Sequence, residues 1–413
     1  MGLCLLGAVH RLLARRRGAH IDGVATAPMT ESTPQRDWSS EFDIDPNVVF
    51  LNHAAFGPVT NRGRRAIESY MARWGQFAEG PDVDQESFAM LEQARSDFAA
   101  MIDGDDRRVA YLSNTTLGLN TVLWGMNLER GERLLIPEVE FPAIVYVAQQ
   151  IARERELQLD VLPCPDGHFT PEDLETALQQ TTAALVFSWV QYFNGYRYDL
   201  QTIADMCHRH GCFTMVDATQ GVGAVPMSAR ESGIDALACG AQKWLFGQPG
   251  SGFLYIAPDP IRRVQPLYAG WLGVDWSYRF HDLRRWDRPP YEDGRQWEVG
   301  TYPYCALRFA QTGLELLREC GLPDIWRRIQ GLHRQLQTGL DGTQYRALTF
   351  PEQHASGIIT IDGPRIDELQ TTLAAQKIFT SLREGTVRVS PHFYNTEHDI
   401  DRLITAIHEF NRS

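Results

Sequence analysis

The sequence predicts an α/β protein with a mostly parallel, seven-stranded sheet, helices on both faces, and a smaller C-terminal α+β domain. Two observations carry this expectation. Between about residues 109 and 256, short apolar runs of strand length alternate with longer stretches whose apolar residues recur at helical spacing. After about residue 300 the alternation stops, and long amphipathic stretches lead into a short mixed region.

The strand candidates, in order, are Val109–Leu112, Arg133–Ile136, Gln158–Leu162, Ala184–Ser188, Phe213–Val216, Ala236–Cys239 and Gly252–Ile256. Helical stretches Leu117–Met126, Ile144–Leu157, Pro171–Gln179 and Leu200–His210 lie between them. Thr170 before Pro171, with Asp173 three positions on, has the form of a capped helix start. Beyond residue 300, Ala306–Cys320 and Asp324–Leu340 read as amphipathic helices, and Gly357–Ile361 and Thr386–Val389 as strands. A last helix starts at Thr396 with Asp399 at its third position and buries Ile400, Leu403, Ile404 and Ile407. The expected division is a tail over residues 1–44, a large α/β domain over 45–300, and a small α+β domain over 301–413.

Composition narrows the function classes. A length of 413 residues allows two or three domains, and the net charge of −13 argues against nucleic acid as a partner and offers no basic face to an anionic membrane. Seven scattered cysteines, an odd number, point to reduced thiols in a cytoplasmic protein. The cluster Cys207-His208-Arg209-His210-Gly211-Cys212 reads as a helix end with Gly211 at the C′ position, and no metal site is expected. In the first 30 residues the apolar run Leu3–Val9 precedes Arg11, Arg15, Arg16 and Arg17, the wrong order for a secretory signal. That segment is expected to be a disordered tail or an over-extended start before Met29, with a weak likeness to an organelle transit peptide.

The chemistry gathers at strand ends, where open α/β sheets bind ligands. Asp217 closes one strand and Lys243, in Gly240-Ala241-Gln242-Lys243, follows the next. That pair is what pyridoxal 5′-phosphate (PLP) requires: a lysine for the aldehyde and a carboxylate for the pyridinium nitrogen. Ser113-Asn114-Thr115-Thr116 opens a helix and serves either as an anion site or as an ordinary cap. Phe141 follows another strand, placed to stack on a flat ring or to fill the core. The stretch Ser188–Arg197 is aromatic and polar, either a pocket wall or a turn built on Asn194-Gly195. Arg388 is a single cation in a strand-like run, suited to a substrate carboxylate or to a structural ion pair.

Taken together, these segments resemble the class V aminotransferase family of fold-type I PLP enzymes, which includes cysteine desulfurases, kynureninases and isopenicillin N epimerases. The resemblance runs from Phe50-Leu51-Asn52-His53-Ala54-Ala55 to Asn395-Thr396, and its most specific part is Asp217-x-x-Gln220 followed by Gln242-Lys243. It implies that Lys243 is the Schiff-base lysine and moves the Cα proton, and that Asp217 partners the pyridinium nitrogen. It further implies that Gln220 donates to the phenolic oxygen, that Thr115, Thr116 and Gln242 hold the phosphate, and that Phe141 stacks on the ring. Arg388 would bind the substrate carboxylate, with His53 and Gln191 as further substrate-binding candidates beside Trp189, Tyr192 and Trp271. Gly300-Thr301 resembles the turn that reaches the phosphate of a neighbouring subunit, which implies a homodimer with shared sites. Two departures shape the expected reaction. Gln242 stands where many relatives have His, and Phe379–Gly385 holds no cysteine, the last one being Cys320. The expectation is therefore lyase or elimination chemistry on a small amino-acid substrate without a persulfide cysteine, with transamination or epimerisation as alternatives. A PLP-sensing protein without turnover and a nucleotide-binding α/β protein are the competing classes. The first would add a helix-turn-helix, for which the 44 leading residues are too irregular, and the second lacks a phosphate-loop glycine pattern.

Overall fold

Apolar runs bounded by turn-forming residues become a sheet buried on both sides. In the computed structural model, which describes residues 38–76, 82–276 and 282–412, a short strand β1 (Val49–Phe50) precedes the central strands. These are β2 (Val109–Leu112), β3 (Arg133–Pro137), β4 (Gln158–Leu162), β5 (Ala184–Ser188), β6 (Phe213–Asp217), β7 (Ala236–Gly240) and β8 (Gly252–Ile256). The seven expected central strands all form, each within one residue of its expected bounds. Their order across the sheet is β2-β8-β7-β6-β5-β3-β4. Every pairing is parallel except the two made by β8, which runs against β7 and β2. Each residue of β3, β5, β6, β7 and β8 is buried, as strands covered on both faces must be.

Four of the expected helices begin two residues earlier than apolar spacing suggests, at Thr115, Pro142, Tyr304 and Leu322, while Pro171–Leu178 and Leu200–Arg209 begin where expected. The helix Thr115–Gly125 starts at Asn114, whose side chain accepts from the Leu117 N–H at 2.8 Å. Thr170 and Asp173 form the expected capping box ahead of Pro171–Leu178, and Thr396 and Asp399 exchange the same pair of bonds at the last helix. Gly211 takes φ +71° where the chain leaves Leu200–Arg209, while His208 bonds to Asp235 and His210 to Glu175. Two helices, Asn61–Gln76 and Asp82–Met101, were not anticipated. The first buries only Gly63 and Tyr70, so it carries almost no apolar stripe.

Helices Thr115–Gly125 and Pro142–Arg155 cover one face of the sheet through Leu119, Val122, Ile144 and Ile151. Asp82–Met101, Leu200–Arg209 and Tyr304–Cys320 cover the other through Phe98, Ile203, Leu307 and Leu314. The C-terminal region adds a four-stranded antiparallel sheet, ordered β12-β13-β10-β9, from β9 (Arg346–Leu348), β10 (Ile359–Asp362), β12 (Ser381–Arg383) and β13 (Thr386–Val389). β1 pairs in parallel with β11 (Ile378–Phe379), so Val49 and Leu51 belong to the same apolar cluster as Val387, Val389 and Ile400. Phe42, within the segment expected as tail, is buried against Phe246 and Tyr394. The expectations on residues 1–37 lie outside the described residues. Among those described, no helix is long and apolar enough to cross a membrane.

One buried ion pair ties the segment before residue 300 to the sheet. Arg95 Nη1 donates to both oxygens of Glu298 at 2.9 Å, and the Tyr111 N–H of β2 donates to Glu298 Oε1 at 3.0 Å. Replacing Glu298 with Ala strands a buried guanidinium, and the expected loss is about 3–5 kcal/mol. Urea denaturation should show a lower midpoint for Glu298→Ala; an unchanged midpoint would contradict the assignment.

Candidate active site

At the carboxyl ends of β5, β6 and β7 a cavity encloses about 500 Å³ of free space, mouth included. Parallel register aligns those ends, with Ser188 beside Asp217 and Asp217 beside Ala238. Lys243, Asp217, Phe141, Gln242, Thr115 and Thr116 all face it, as do Gln220, Ser188 and Tyr192 from the expected pocket stretch, and the unanticipated Thr219.

The turn carrying Lys243 is held by close backbone contacts. The Ala241 N–H donates to Ser251 O at 3.0 Å, the Gly247 N–H to Ala241 O at 2.7 Å, and the Gly57 N–H to Gln242 O at 2.9 Å. A Cβ at Gly57 would lie 2.4 Å from Lys243 O, and one at Gly313 would lie 2.1 Å from Leu245 O. Both positions therefore need glycine because another backbone lies against them. Phe246 completes the turn with φ +54°.

Lys243 is half-buried, and its Nζ sits 5.5 Å from the centre of the Phe141 ring. Burial pulls its pKa down to about 8; Asp217 opposes that shift, and the Arg388 and Arg383 guanidinia reinforce it. Asp217 is buried, and its Oδ1 accepts from the Thr219 N–H at 2.9 Å. Burial raises its carboxyl pKa against the pull of the Thr219 bonds and Lys243. The hydroxyls of Thr115 and Thr219 bond at 2.7 Å, and Thr219 Oγ1 also accepts from the Gly240 N–H at 3.3 Å. Gln220 donates to Ala54 O and accepts from the Trp244 indole N–H, both at 2.9 Å. One of its amide N–H groups is left over.

Arg388 lies on β13, fully buried, with Nη1 donating to Tyr192 O at 2.5 Å and Nε and Nη2 unpartnered. Burial, reinforced by Arg383, lowers its pKa to about 10. An unpaired guanidinium in that setting is matched by a carboxylate ligand.

Six of the expected residues do not line this cavity: Arg388, His53, Gln191, Trp189, Trp271 and Thr301. His53 is buried in an aromatic cluster, sharing a 3.1 Å hydrogen bond with Tyr394 and packing its ring 4.6 Å from that of His392. Burial holds its pKa well below the ordinary histidine value. Gln191 points into the protein, where its Nε2 donates to Glu140 Oε1 at 3.0 Å. Thr301 is exposed beyond the anchored Glu298. Glu140 is the main residue that the sequence did not reveal. Its carboxyl group accepts from the Ser188 N–H at 2.8 Å and the Ser188 hydroxyl at 2.5 Å, and burial raises its pKa to about 7. It adjoins Phe141 in sequence but faces inward, and only its three folded donors mark it out.

The cavity fits PLP part by part. An amine with a depressed pKa stands over an aromatic face, a buried carboxylate lines the same pocket, and threonine hydroxyls flank a helix N-terminus. At the threonine corner a Cβ on Gly240 would fall 2.5 Å from Gln242 Oε1 and 3.0 Å from Thr115 Oγ1, so bare backbone shapes that wall.

Borohydride treatment of the PLP-loaded protein should tether one cofactor per chain, read as a mass increase that Lys243→Ala loses while remaining folded. Because only the neutral amine is nucleophilic, the rate at which the cofactor-free protein captures added PLP, trapped by borohydride, should rise as pH increases through about 8 and then level off. A rise continuing towards the pKa of a free lysine would show that Lys243 is not desolvated. Gly313→Ala drives a methyl group into Leu245 O, with an expected cost of about 1–3 kcal/mol and weaker cofactor retention in dialysis.

The profile of the family described as Aminotransferase class-V matches residues 49–403. A Bacillus subtilis protein named uncharacterized aminotransferase YcbU is 27% identical over 329 residues, covering 78% of this chain and 84% of its own length. Isopenicillin N epimerase of Streptomyces clavuligerus is 26% identical over 404 residues, covering 88% of this chain and 95% of the relative. Among solved structures, the cystine C-S lyase C-DES in complex with cysteine persulfide superposes with a TM-score of 0.79 at 22% identity, over 88% of this chain and 97% of that one, a likeness of fold. The matched span takes in the sheet, the lysine turn and the arginine strand together, and the chain is an enzyme of the PLP-dependent class V aminotransferase family.

Proposed function

We propose that this enzyme is a lyase acting on an α-amino acid or a small derivative, removing the Cα proton and expelling a group from the side chain without a persulfide cysteine. The observation that supports this reading best is Arg388, a buried guanidinium with two unpartnered nitrogens beside the lysine pocket. It binds the substrate carboxylate side-on. Bound PLP supplies the electron sink that makes loss of the Cα proton accessible.

The chain supplies the rest. Lys243 anchors the cofactor and then takes and returns the Cα proton, a task suited to an amine with a pKa of about 8. Asp217 keeps a proton on the ring nitrogen, and the spare N–H of Gln220 serves the phenolic oxygen. Phe141 covers one ring face with an apolar surface that offers no proton, which favours chemistry run from the lysine. Thr115, Thr116 and Gln242 take the phosphate at the N-terminus of Thr115–Gly125. Gln191 acts from behind by fixing Glu140, and His53 by filling the space beneath the lysine turn. Thr301 reaches the phosphate of a second subunit, in a cytoplasmic homodimer with shared sites. The segment Phe379–Gly385 carries no cysteine to receive sulfur.

Transamination is the second reading, favoured by the name of the Bacillus subtilis relative. An amino-acid panel separates the two. The lyase reading expects ammonia and a carbonyl product without any added 2-oxo acid. Turnover that depends on a 2-oxo acid and converts it to an amino acid would overturn it. Arg388→Gln should raise KM by about 10- to 150-fold, the effect of losing a charged hydrogen-bonded pair of about 1.5–3 kcal/mol.

A further inference from the structure

The hairpin that carries Arg388 presents a second guanidinium. Its register pairs Ser381 with Arg388, Leu382 with Val387, and Arg383 with Thr386. Directly paired residues share a face of a sheet, and so do residues two apart along a strand. Ser381, Arg383, Thr386 and Arg388 therefore form one face. From that face Arg388 reaches Tyr192 O, and Tyr192 in turn lines the cavity with its ring centre 5.4 Å from that of Phe141.

Neither guanidinium forms an ion pair with a carboxylate among the described residues. Arg383 is half-buried, and its Nη1 donates to the backbone oxygen of Leu382 at 2.7 Å. Its neighbour Glu384 is engaged elsewhere, accepting the Tyr192 hydroxyl at 3.1 Å. On Arg388, Nε and Nη2 are the unpartnered atoms, and they form one edge of the guanidinium. A single carboxylate fills that edge in the bidentate geometry. Arg383 then remains on the same hairpin face as Arg388, a cation close enough to depress the pKa of both Arg388 and Lys243. Like charges held together without a counter-ion are relieved when an anion binds.

We propose that the site is built for an α-amino acid with a second acidic group on its side chain, Arg388 holding the α-carboxylate and Arg383 the side-chain anion. This rests on the amino-acid reading of Arg388 given above.

The test uses the PLP-loaded enzyme and has two arms. Calorimetry compares succinate with butyrate, and kinetics compare L-aspartate and L-glutamate with L-asparagine and L-glutamine. Succinate is expected to bind at least 10-fold more tightly than butyrate, and the acids to show at least 10-fold higher kcat/KM than their amides, mainly through KM. Arg383→Gln should cut both preferences at least 10-fold, and Arg383→Lys should restore part of them. Equal binding of succinate and butyrate overturns the proposal. So does an Arg383→Gln variant that weakens the acids and amides alike, since Arg383 would then share the α-carboxylate. Succinate preference without turnover of any amino acid would instead overturn the amino-acid reading and leave the second anion site standing.

Discussion

The site depends first on how closely other backbones approach the turn that carries Lys243. Gly57 comes from the loop after β1, Gly223 from the loop after β6, and Gly313 from the helix Tyr304–Cys320. Each lies where a Cβ would come within 2.6 Å of a carbonyl oxygen in the stretch Lys243–Leu245. Three remote parts of the chain thus press on three consecutive peptide units. A lysine on such a turn keeps side-chain freedom at its tip but almost none at its root. That is the combination needed by a group that must both hold a ligand and carry a proton over a short path.

Electrostatics follow from that rigidity. Burial pushes Lys243 towards its neutral form and Asp217 towards its protonated form, and each group limits the shift of the other. Glu140 is handled differently. Three donors, the Ser188 N–H, the Ser188 hydroxyl and the Gln191 amide, surround its carboxyl group. The result is a bracket between the end of β5 and the start of Pro142–Arg155. It holds Phe141 and the Ser188–Tyr192 wall at fixed separation, so the acid shapes the cavity without pointing into it.

The fold and the main axis of the site were legible in the sequence because both are written in short-range pattern. Apolar runs of four or five residues marked the strands, and Asp217 and Lys243 stood out as polar residues at or shortly after their ends. The rest depends on side-chain direction. His53 lies in a motif that reads as part of the pocket, yet its ring turns into the cluster with His392 and Tyr394. Gln191 and Tyr192 are adjacent, but only Tyr192 faces the cavity. Arg388 was visible as a lone cation, whereas its two unpartnered nitrogens and the nearby Arg383 emerge only from the β12–β13 register. The helix Asn61–Gln76 escaped notice because its mostly polar surface leaves no apolar period to detect.

The parallel pairing of β1 with β11 bears on how the molecule is made. Val49 and Ile378 are partners although about 330 positions separate them. A ribosome adding residues at about 5–20 per second leaves β1 without its partner for on the order of tens of seconds. Thr115, Asp217 and Lys243 all emerge within that interval, before the hairpin bearing Arg383 and Arg388. On the roles proposed above, the residues that would hold the cofactor are therefore synthesised first, and those that would hold a substrate carboxylate last.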